Sequence, residues 1–324
     1  MTDATDLPLF LVADVGGTNT RCALARGAEV QAESIRRYRN DDFAGLPTVL
    51  KTYRDAMGAT PDGACVAVAG PVADGVAELT NRDWSIDTVR LLAATGARAG
   101  AILNDLQAQG HALGHLAPDV CETVCTSAAP AREGAARLVI GVGTGFNAAP
   151  VHVTPTGRVV PPSEAGHANL PVRTEAELRL LTFVSTSHGF PSVEDVLSGR
   201  GLEQTYRWLA SEAGASEERS AAEIMGSLDT DPRAEATVRQ AVRMLGTVAG
   251  NLSLIHLPFG GVYMVGGVAR ALGPHLAGMG FADAFRDKGR FAGFMQNFAV
   301  HLVTDDHAAL TGCAAHLNEL APTG

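Results

Sequence analysis

Three glycine-rich segments follow apolar runs in this sequence, and each has residue types that can bind phosphate. The first, Phe10–Ala25 (FLVADVGGTNTRCALA), places an aspartate, two glycines and a threonine between two apolar runs. Glycine lets backbone N–H groups approach phosphate oxygens without a Cβ in the way. A solvent turn does not need an acid at the end of a buried strand. We therefore interpret Asp14 as the residue that orients a hydrated Mg²⁺ on the phosphates.

The second segment, Arg137–Val153 (RLVIGVGTGFNAAPVHV), repeats this design and suggests an internal duplication, and Gly266–Gly267 form a third glycine pair after an apolar strand. Any one of these loops alone is better explained as a tight hairpin turn. Two matched loops and a third glycine pair favour phosphate binding. The predicted phosphate-binding residues are Ala13, Asp14, Val15, Gly16, Gly17, Thr18, Gly143, Thr144, Gly145, Gly266 and Gly267.

Two other phosphate-binding schemes fit the glycines less well. A P-loop needs a Gly-Lys pair, and the sequence has none. A dinucleotide-binding turn needs a helix directly after the glycines, but the residues after Gly145 include Pro150 and β-branched side chains, which make a poor first helical turn. The third scheme, two β-hairpins that pinch a triphosphate between two lobes, is the one we predict.

The Asn104–Asp105 pair stands between a predicted strand and a predicted helix. An open α/β sheet places its chemistry at this position, and a carboxylate there can accept the proton of a hydroxyl that attacks phosphorus. By itself, an Asn-Asp pair before a helix is more often a helix N-cap. These two residues alone therefore do not make Asp105 a catalytic base.

The composition limits the class of protein. The chain has 324 residues, 46% of them hydrophobic, and a net charge of −10, which suits two soluble domains and argues against nucleic-acid or anionic-membrane partners. No membrane-spanning run or signal-peptide pattern is expected. The five scattered cysteines indicate reduced thiols and a cytoplasmic location. Cys121 and Cys125 could form half of a metal site, but no second pair has a suitable spacing.

The elements that would position these residues alternate between strands and helices, which predicts an α/β fold. Strands are predicted at LFLVADV and RCALA, joined as a hairpin, and at Ala64–Gly70 and Ala99–Asp105. A helix is predicted after Asp105, a loop over Thr126–Arg137 and a long helix over Ala234–Leu257. A further strand, GVYMVGG, and a C-terminal helix complete the pattern.

Segments along almost the whole chain resemble, in order, those of the bacterial glucokinase family, which belongs to the superfamily of sugar kinases, actin and heat-shock ATPases. They are DVGGTNTR, LTNRDW, ILNDLQAQGHAL, GVGTGFNAAPV, PPSEAGHANLP, EDVLSGRGLEQTYR, GGVYMVGGV and AFRDKGRF. The resemblance implies two ribonuclease H-like lobes around a central cleft, the actin-like ATPase fold. It implies a small lobe over residues 1–115, to which a C-terminal helix at 306–324 returns, and a large lobe over residues 116–305.

The resemblance also implies an activity, the ATP-dependent phosphorylation of glucose at its 6-hydroxyl, with Mg²⁺ held mainly by the ATP phosphates and by Asp14 through water. It makes Asp105 the catalytic base. The implied sugar-binding residues are Asn104, Asp105, Glu164, His167 and Glu194. Glucose and ATP are then the partners, nucleic acid and membrane are not, and a homodimer is left open.

Three rival functions share this fold. A kinase for mannose, fructose or glucosamine differs only in the sugar. A sugar-responsive regulator needs a DNA-binding domain and a basic surface, which we do not expect from about ten residues before the first strand. A non-catalytic sugar sensor is expected to lack Asp105.

Two positions depart from the family pattern. Asn147 and Ala165 stand where glycine is common. Because asparagine tolerates the left-handed backbone conformation, we expect the loop to be retained and Asn147→Gly to be harmless. The chain also has no cysteine between Cys125 and Cys313, so the zinc loop of some related sugar kinases, which follows the position of His167, is not expected.

Overall fold

Strands and helices alternate along the chain, which confirms the predicted α/β class. The computed structural model describes residues 7–73, 75–79 and 82–320. The strands are β1 (Leu9–Val15), β2 (Asn19–Arg26), β3 (Glu29–Val30), β4 (Arg36–Arg39), β5 (Gly63–Val68), β6 (Val72–Ala73), β7 (Val76–Glu78), β8 (Ser85–Asp87), β9 (Ala99–Asn104), β10 (Cys121–Cys125), β11 (Arg137–Val142), β12 (Phe146–Thr154), β13 (Gly157–Val159), β14 (Val262–Val265) and β15 (Val300–Val303). The α-helices are α1 (Leu46–Met57), α2 (Thr88–Thr95), α3 (Asp105–Ala112), α4 (Glu175–His188), α5 (Gly199–Glu212), α6 (Ala221–Gly226), α7 (Pro232–His256), α8 (Gly267–Leu276), α9 (Phe281–Arg286) and α10 (Ala308–Leu320).

The predicted strands and hairpins are confirmed. One sheet has the order β3-β2-β1-β5-β9 with β4 paired to β2, another has the order β10-β15-β14-β11-β12-β13, and β6-β7-β8 form a small third sheet. β1 with β2 and β11 with β12 are the two antiparallel hairpins. β1, β5 and β9 run parallel, as do β11, β14 and β15, so their carboxyl ends meet at one edge of each sheet.

The predicted helices and loop are confirmed as well. The long helix α7 begins two residues before the predicted start and ends one residue before the predicted end. Residues 126–136 contain neither helix nor strand. The C-terminal helix is α10, and residues 321–324 of its predicted range lie outside the described residues. Thr80 and Asn81 of the LTNRDW segment also lie outside them.

Contacts divide the chain into two units. The first contains Met1–Pro118, Val153–Pro162 and Asp305–Gly324, and the second contains Asp119–His152 and Ser163–Thr304. The segment 153–162 thus belongs with the first unit, whereas the sequence analysis assigned it to the second lobe. Its Arg158 donates to the Leu113 carbonyl and forms an ion pair with Glu319, and both partners lie in the first unit.

The first unit buries both faces of its six-stranded mixed sheet. Successive residues of β1 alternate between two cores, because side chains along a strand point to opposite faces. Leu11 and Ala13 pack with buried residues of α1 and α2, while Phe10 and Val12 pack with α3 and α10. Helices α3 and α10 are in close contact, since a Cβ on Gly312 would lie 1.7 Å from the Ala108 carbonyl oxygen. This packing fixes the helix that follows Asn104.

Stability of the first unit is expected to decrease as the pH falls from about 6.5 towards 3. His111 of α3 is buried, with its ring centroid 4.4 Å from that of His316 and its Nδ1 3.9 Å from Glu319 Oε2. Burial, with smaller contributions from His316 and Arg158, lowers the pKa of His111 from 6.5 to about 3. In this range the unfolded chain binds a proton that the folded chain does not, so folding weakens as pH falls.

The contribution of His111 to the pH dependence of the free energy of unfolding has an upper limit of about 1.4 kcal/mol per pH unit. Urea unfolding of the wild type and of His111→Gln at several pH values would measure it. The variant should lose less stability between pH 6.5 and 4 than the wild type does. Equal pH slopes for the two proteins would contradict the assignment to His111.

The second unit packs helices against its own sheet. The 25-residue helix α7 is capped by Asp231, which accepts from the Arg233 N–H, and it contributes buried residues along most of its length. These join buried residues of β11, β14 and β15 in one core. Across 7–73, 75–79 and 82–320, none of the helices combines the length and the apolar character that crossing a membrane requires.

Candidate active site

The first glycine-rich loop joins β1 to β2 at the carboxyl edge of the first sheet. The Gly16 N–H donates to the Asn19 carbonyl at 3.0 Å and closes the turn. Asp14 pairs with Arg21 across the hairpin, and Thr18 is exposed at the tip. The segment that was predicted to bind phosphate is therefore a hairpin turn. Its Gly16 N–H is already hydrogen-bonded within the turn.

Two residues that the sequence analysis missed hold the carbonyl side of this loop. The side-chain amide of the buried Asn40 donates to the carbonyls of Gly16 at 2.7 Å and Gly17 at 3.2 Å, and its oxygen accepts from Thr20. The Arg82 Nε donates to the Gly17 carbonyl at 3.1 Å. Because the carbonyls of Gly16 and Gly17 accept these hydrogen bonds, the loop has a defined backbone conformation before any ligand binds.

Asp14 lines a cavity of about 200 Å³ beside this loop. The cavity is lined by Asp14, Gly16, Thr18, Asn19, Arg21 and Arg37. Asp14 Oδ2 accepts from Arg21 at 3.3 Å, and 23% of its side chain is exposed. Burial raises the pKa of Asp14, although Arg21 opposes this shift. A carboxylate of this kind fits a hydrated Mg²⁺, because the cation prefers oxygen ligands and would offset the cost of burying the charge.

Asn104 is the N-cap residue of helix α3, and the Asp105 carboxylate also accepts from the Leu106 N–H, at 2.8 Å. The Asn104 Oδ1 accepts from the Leu106 N–H at 2.9 Å, its Nδ2 donates to the Gly70 carbonyl at 2.9 Å, and Gln107 completes a capping box. Asp105 is the first helical residue and is exposed. In the parallel register, Val15, Val68 and Asn104 lie side by side, so Asp105 and the first glycine-rich loop share one edge of the sheet.

The second glycine-rich loop joins β11 to β12 in the second unit. The Gly143 N–H donates to the Gly145 carbonyl at 2.9 Å, and the Gly143 carbonyl accepts from Gly199 at the start of α5. A strand follows the glycines, so the dinucleotide-binding alternative is wrong here. Pro150 lies within that strand.

The third glycine pair lies next to the second loop. Gly266 has a φ of 102°, a conformation that favours glycine, and a Cβ there would lie 2.5 Å from the Val142 carbonyl oxygen. Gly267 begins helix α8, directly after β14. Because β14 is parallel to β11, the structure brings Gly266–Gly267 and Gly143–Gly145 to the same edge of the second sheet.

The structure also brings together the three sugar-binding residues predicted in the second unit. His167 Nε2 is 4.0 Å from Glu164 Oε2, and both side chains are about two-thirds exposed, at 66% and 68%. The Glu194 N–H donates to the Gly166 carbonyl at 2.9 Å, which joins the two segments. Asn104 and Asp105, the other two predicted sugar-binding residues, belong to the first unit.

Glu194 supports the second glycine-rich loop in addition to lying beside the sugar-binding segment. Its Oε2 accepts from the Phe146 N–H at 2.9 Å, and its Oε1 is 3.6 Å from Arg200. A Cβ on Gly145 would lie 2.4 Å from Glu194 Oε2, so a larger residue at this position would displace the Glu194 carboxylate. The sequence analysis did not predict this second role.

The left-handed interpretation of Asn147 is wrong. Asn147 is a residue of β12 in regular register with Gly141 of β11, so its backbone is extended. Its side-chain amide donates to the Ser163 carbonyl and accepts from the Ala165 N–H at 3.0 Å. The expected tolerance of Asn147→Gly therefore has no structural basis, because glycine would lose both hydrogen bonds.

A cavity of about 360 Å³ lies beside these residues in the second unit. It is lined by His167, Phe190, Ser192, Glu194, Asp195, Ser198, Arg200 and Gln204. Six of these residues were not predicted from the sequence. The side chains of His167 and Glu194 give the cavity polar groups that can read hydroxyls. In the described ranges, His, Cys, Asp and Glu side chains form no group of three or more that could hold a metal ion.

Comparisons with known proteins agree with these features. The family model named Glucokinase matches residues 11–320. Glucokinase of Pectobacterium atrosepticum is 31% identical over 318 residues, which are 96% of this chain and 97% of that protein. The crystal structure of glucokinase from an Antarctic psychrotroph matches with a TM-score of 0.85 and 30% identity, over 96% of this chain and 99% of that one.

A second solved structure extends the agreement in fold. Glucokinase from Balamuthia mandrillaris in complex with glucose matches with a TM-score of 0.81 over 99% of this chain and 96% of that one. Its sequence identity is 22%, so this likeness bears on the fold alone. Together the structural matches confirm the predicted actin-like ATPase fold.

Proposed function

The chain belongs to the glucokinase family, and from this premise we propose that it transfers the γ-phosphoryl group of ATP to the 6-hydroxyl of glucose. The observation that carries the proposal is the edge of the first sheet, where an exposed carboxylate and a preformed glycine-rich hairpin lie together. Asp105 is exposed there while its neighbour Asn104 caps the helix. Phosphoryl transfer depends mainly on positioning and on charge stabilisation, and this edge offers both.

Asp105 is the proposed general base. The glucose 6-oxygen forms a bond to the γ-phosphorus of ATP, the bond from that phosphorus to its bridging oxygen breaks, and ADP leaves. Asp105 accepts the hydroxyl proton as the oxygen attacks. Mg²⁺, when bound to the ATP phosphates, neutralises part of the charge on their oxygens. Asp14 would hold this ion through a water molecule.

The first glycine-rich loop is proposed to bind ATP phosphates through the N–H groups of Gly17 and Thr18, because that of Gly16 closes the turn. The positive charges of two arginine side chains support this proposal. Arg21 and Arg37 face each other across β2 and β4 and line the same cavity. Like charges directly opposite each other destabilise a strand pair, and a phosphate anion between them would offset that cost.

The sugar is proposed to bind to Glu164, His167 and Glu194 in the second unit and to Asn104 and Asp105 in the first. Carboxylates and amides suit this role because each sugar hydroxyl is both a donor and an acceptor. The direct test is a panel of glucose, mannose, fructose and glucosamine with MgATP, followed by ADP release. Glucose should be the preferred sugar. A stronger response to another hexose would replace glucose in the proposal, and no response to any of them would reject it.

Thr144→Val is expected to weaken ATP binding without unfolding the protein. Thr144 is exposed at the tip of the second glycine-rich loop, so its hydroxyl contributes little to stability. A hydroxyl that donates to a charged phosphate contributes about 1–3 kcal/mol, or roughly 5- to 150-fold in affinity. Calorimetric titration with ATP measures this change, and Thr156→Val, in a turn after β12, is a suitable control. An unchanged ATP affinity in Thr144→Val would make the second loop an ordinary hairpin turn.

A further inference from the structure

The side chain of Asn147 bonds to the backbone on both sides of Glu164. Its Nδ2 donates to the Ser163 carbonyl, and its Oδ1 accepts from the Ala165 N–H at 3.0 Å. The donor end of the amide is therefore used on one of the two residues that flank Glu164. The acceptor end bonds the other flanking residue and also the Ala148 N–H, at 2.8 Å. One group that donates to a carbonyl and accepts from the N–H two residues later is also the pattern of backbone pairing between strands. Here a side chain makes these bonds.

Asn147 is itself held in a rigid element. It lies two residues after Gly145, and its backbone pairs with Gly141 in the β11–β12 hairpin. The preceding residue, Phe146, donates its N–H to Glu194 Oε2, and its carbonyl would lie 2.0 Å from a Cβ on Gly166. Two consecutive residues of β12 thus support both sugar-binding segments of the second unit.

Glu164 benefits from such support because its own segment holds it through a single short 3₁₀ turn, in which its carbonyl accepts from the His167 N–H at 3.1 Å. Its backbone, at φ −128° and ψ 49°, belongs to no regular element, and 68% of its side chain is exposed. A loop residue that must be ordered when a ligand arrives costs conformational entropy at that step. Fixing the residues before and after Glu164 removes part of this cost and places the carboxylate before the sugar binds.

We propose that Asn147 is a positioning residue for the sugar, which acts through Glu164 by holding the backbone of Ser163 and Ala165. The inference rests on the proposed function, since it assumes that Glu164 contacts glucose. It assigns Asn147 no contact with sugar, ATP or the reacting atoms. Its effect should therefore appear in the KM for glucose and not in kcat or in the KM for ATP.

The test is a double-mutant cycle on glucose phosphorylation. Asn147→Ala should raise the KM for glucose about tenfold, as expected for the loss of two hydrogen bonds of roughly 1 kcal/mol each, partly offset by water. The kcat and the KM for ATP should stay within about twofold. In a Glu164→Ala background the same change should add little, because residues that act through one another are not additive.

Two further variants complete the design. Asn297→Ala is the matched control, because it also removes a side-chain donor to a backbone carbonyl in the second unit, that of Phe294. Asn147→Asp keeps an acceptor for Ala165 but loses the donor to Ser163, so it should also raise the KM for glucose. It provides the test if the alanine variant does not fold.

The outcomes separate this inference from the proposed function. If the wild type does not phosphorylate glucose, the result rejects the proposed function itself. If the wild type is active and Asn147→Ala raises the KM for glucose no more than Asn297→Ala does, the positioning role is wrong. Full additivity with Glu164→Ala would also overturn it.

Discussion

Asp105→Asn is expected to reduce turnover on glucose by about 10²–10⁴-fold, the usual contribution of a general base. The amide has nearly the size of the carboxylate but cannot accept the hydroxyl proton. Helix α3 should remain intact, because Asn104 and Gln107 make its capping box. The KM for glucose should change by only a few-fold, and steady-state kinetics measures both parameters together.

The matched control for Asp105 is Asp283→Asn. Asp283 is also an exposed aspartate in the first turn of a helix, but it lies in α9 of the second unit. That variant should keep wild-type turnover. If Asp105→Asn also kept near-normal turnover, Asp105 would be a structural residue and the proposed mechanism would be wrong.

Glu164→Ala and Glu194→Ala are expected to raise the KM for glucose about 10- to 100-fold, because each leaves sugar hydroxyls unpaired in the bound state. The two variants should differ in their effect on ATP. Glu194 also accepts from the Phe146 N–H beside the second glycine-rich loop, so Glu194→Ala should weaken ATP binding as well. Glu164 makes no such contact with the loop, and its variant should bind ATP normally.

Thermal-shift titrations with glucose, deoxyglucoses and ATP separate these effects. The wild-type protein should bind each glucose analogue that lacks one hydroxyl more weakly than it binds glucose. Each variant should discriminate less between glucose and the analogue that lacks the hydroxyl bound by the mutated residue. A general loss of stability would weaken every ligand alike. Equal losses for every sugar and for ATP in Glu164→Ala would remove Glu164 from the sugar site.

Local patterns made most of the fold predictable. β1 and β2 were recognisable because apolar residues flank a short run with glycine, which favours a hairpin. Helix α7 was recognisable because its apolar residues recur at helical spacing over more than six turns. The pairing of β1 with β5 and of β5 with β9 sets Asp105 at the same sheet edge as the first loop. This pairing depends on contacts between distant residues and was implied only by the family resemblance.

The supporting residues of the site could not be predicted in the same way. Asn40 lies more than twenty residues from the glycines whose carbonyls it bonds, and Arg82 lies 65 residues away. No local pattern relates them to the loop. Asn147 was misread because its position near a turn suggested a left-handed backbone, whereas strand register placed it in β12 and turned its amide towards Ser163 and Ala165.

The central claim is tested most directly by identifying the product formed from glucose and MgATP. The protein should be incubated with ¹³C-labelled glucose and MgATP, and the reaction followed by ¹³C and ³¹P nuclear magnetic resonance. The account predicts one new phosphomonoester, coupled to carbon 6 of glucose, formed in equal amount to ADP and nearly absent with Asp105→Asn. Phosphate on another carbon, or ADP release without a sugar phosphate, would contradict it.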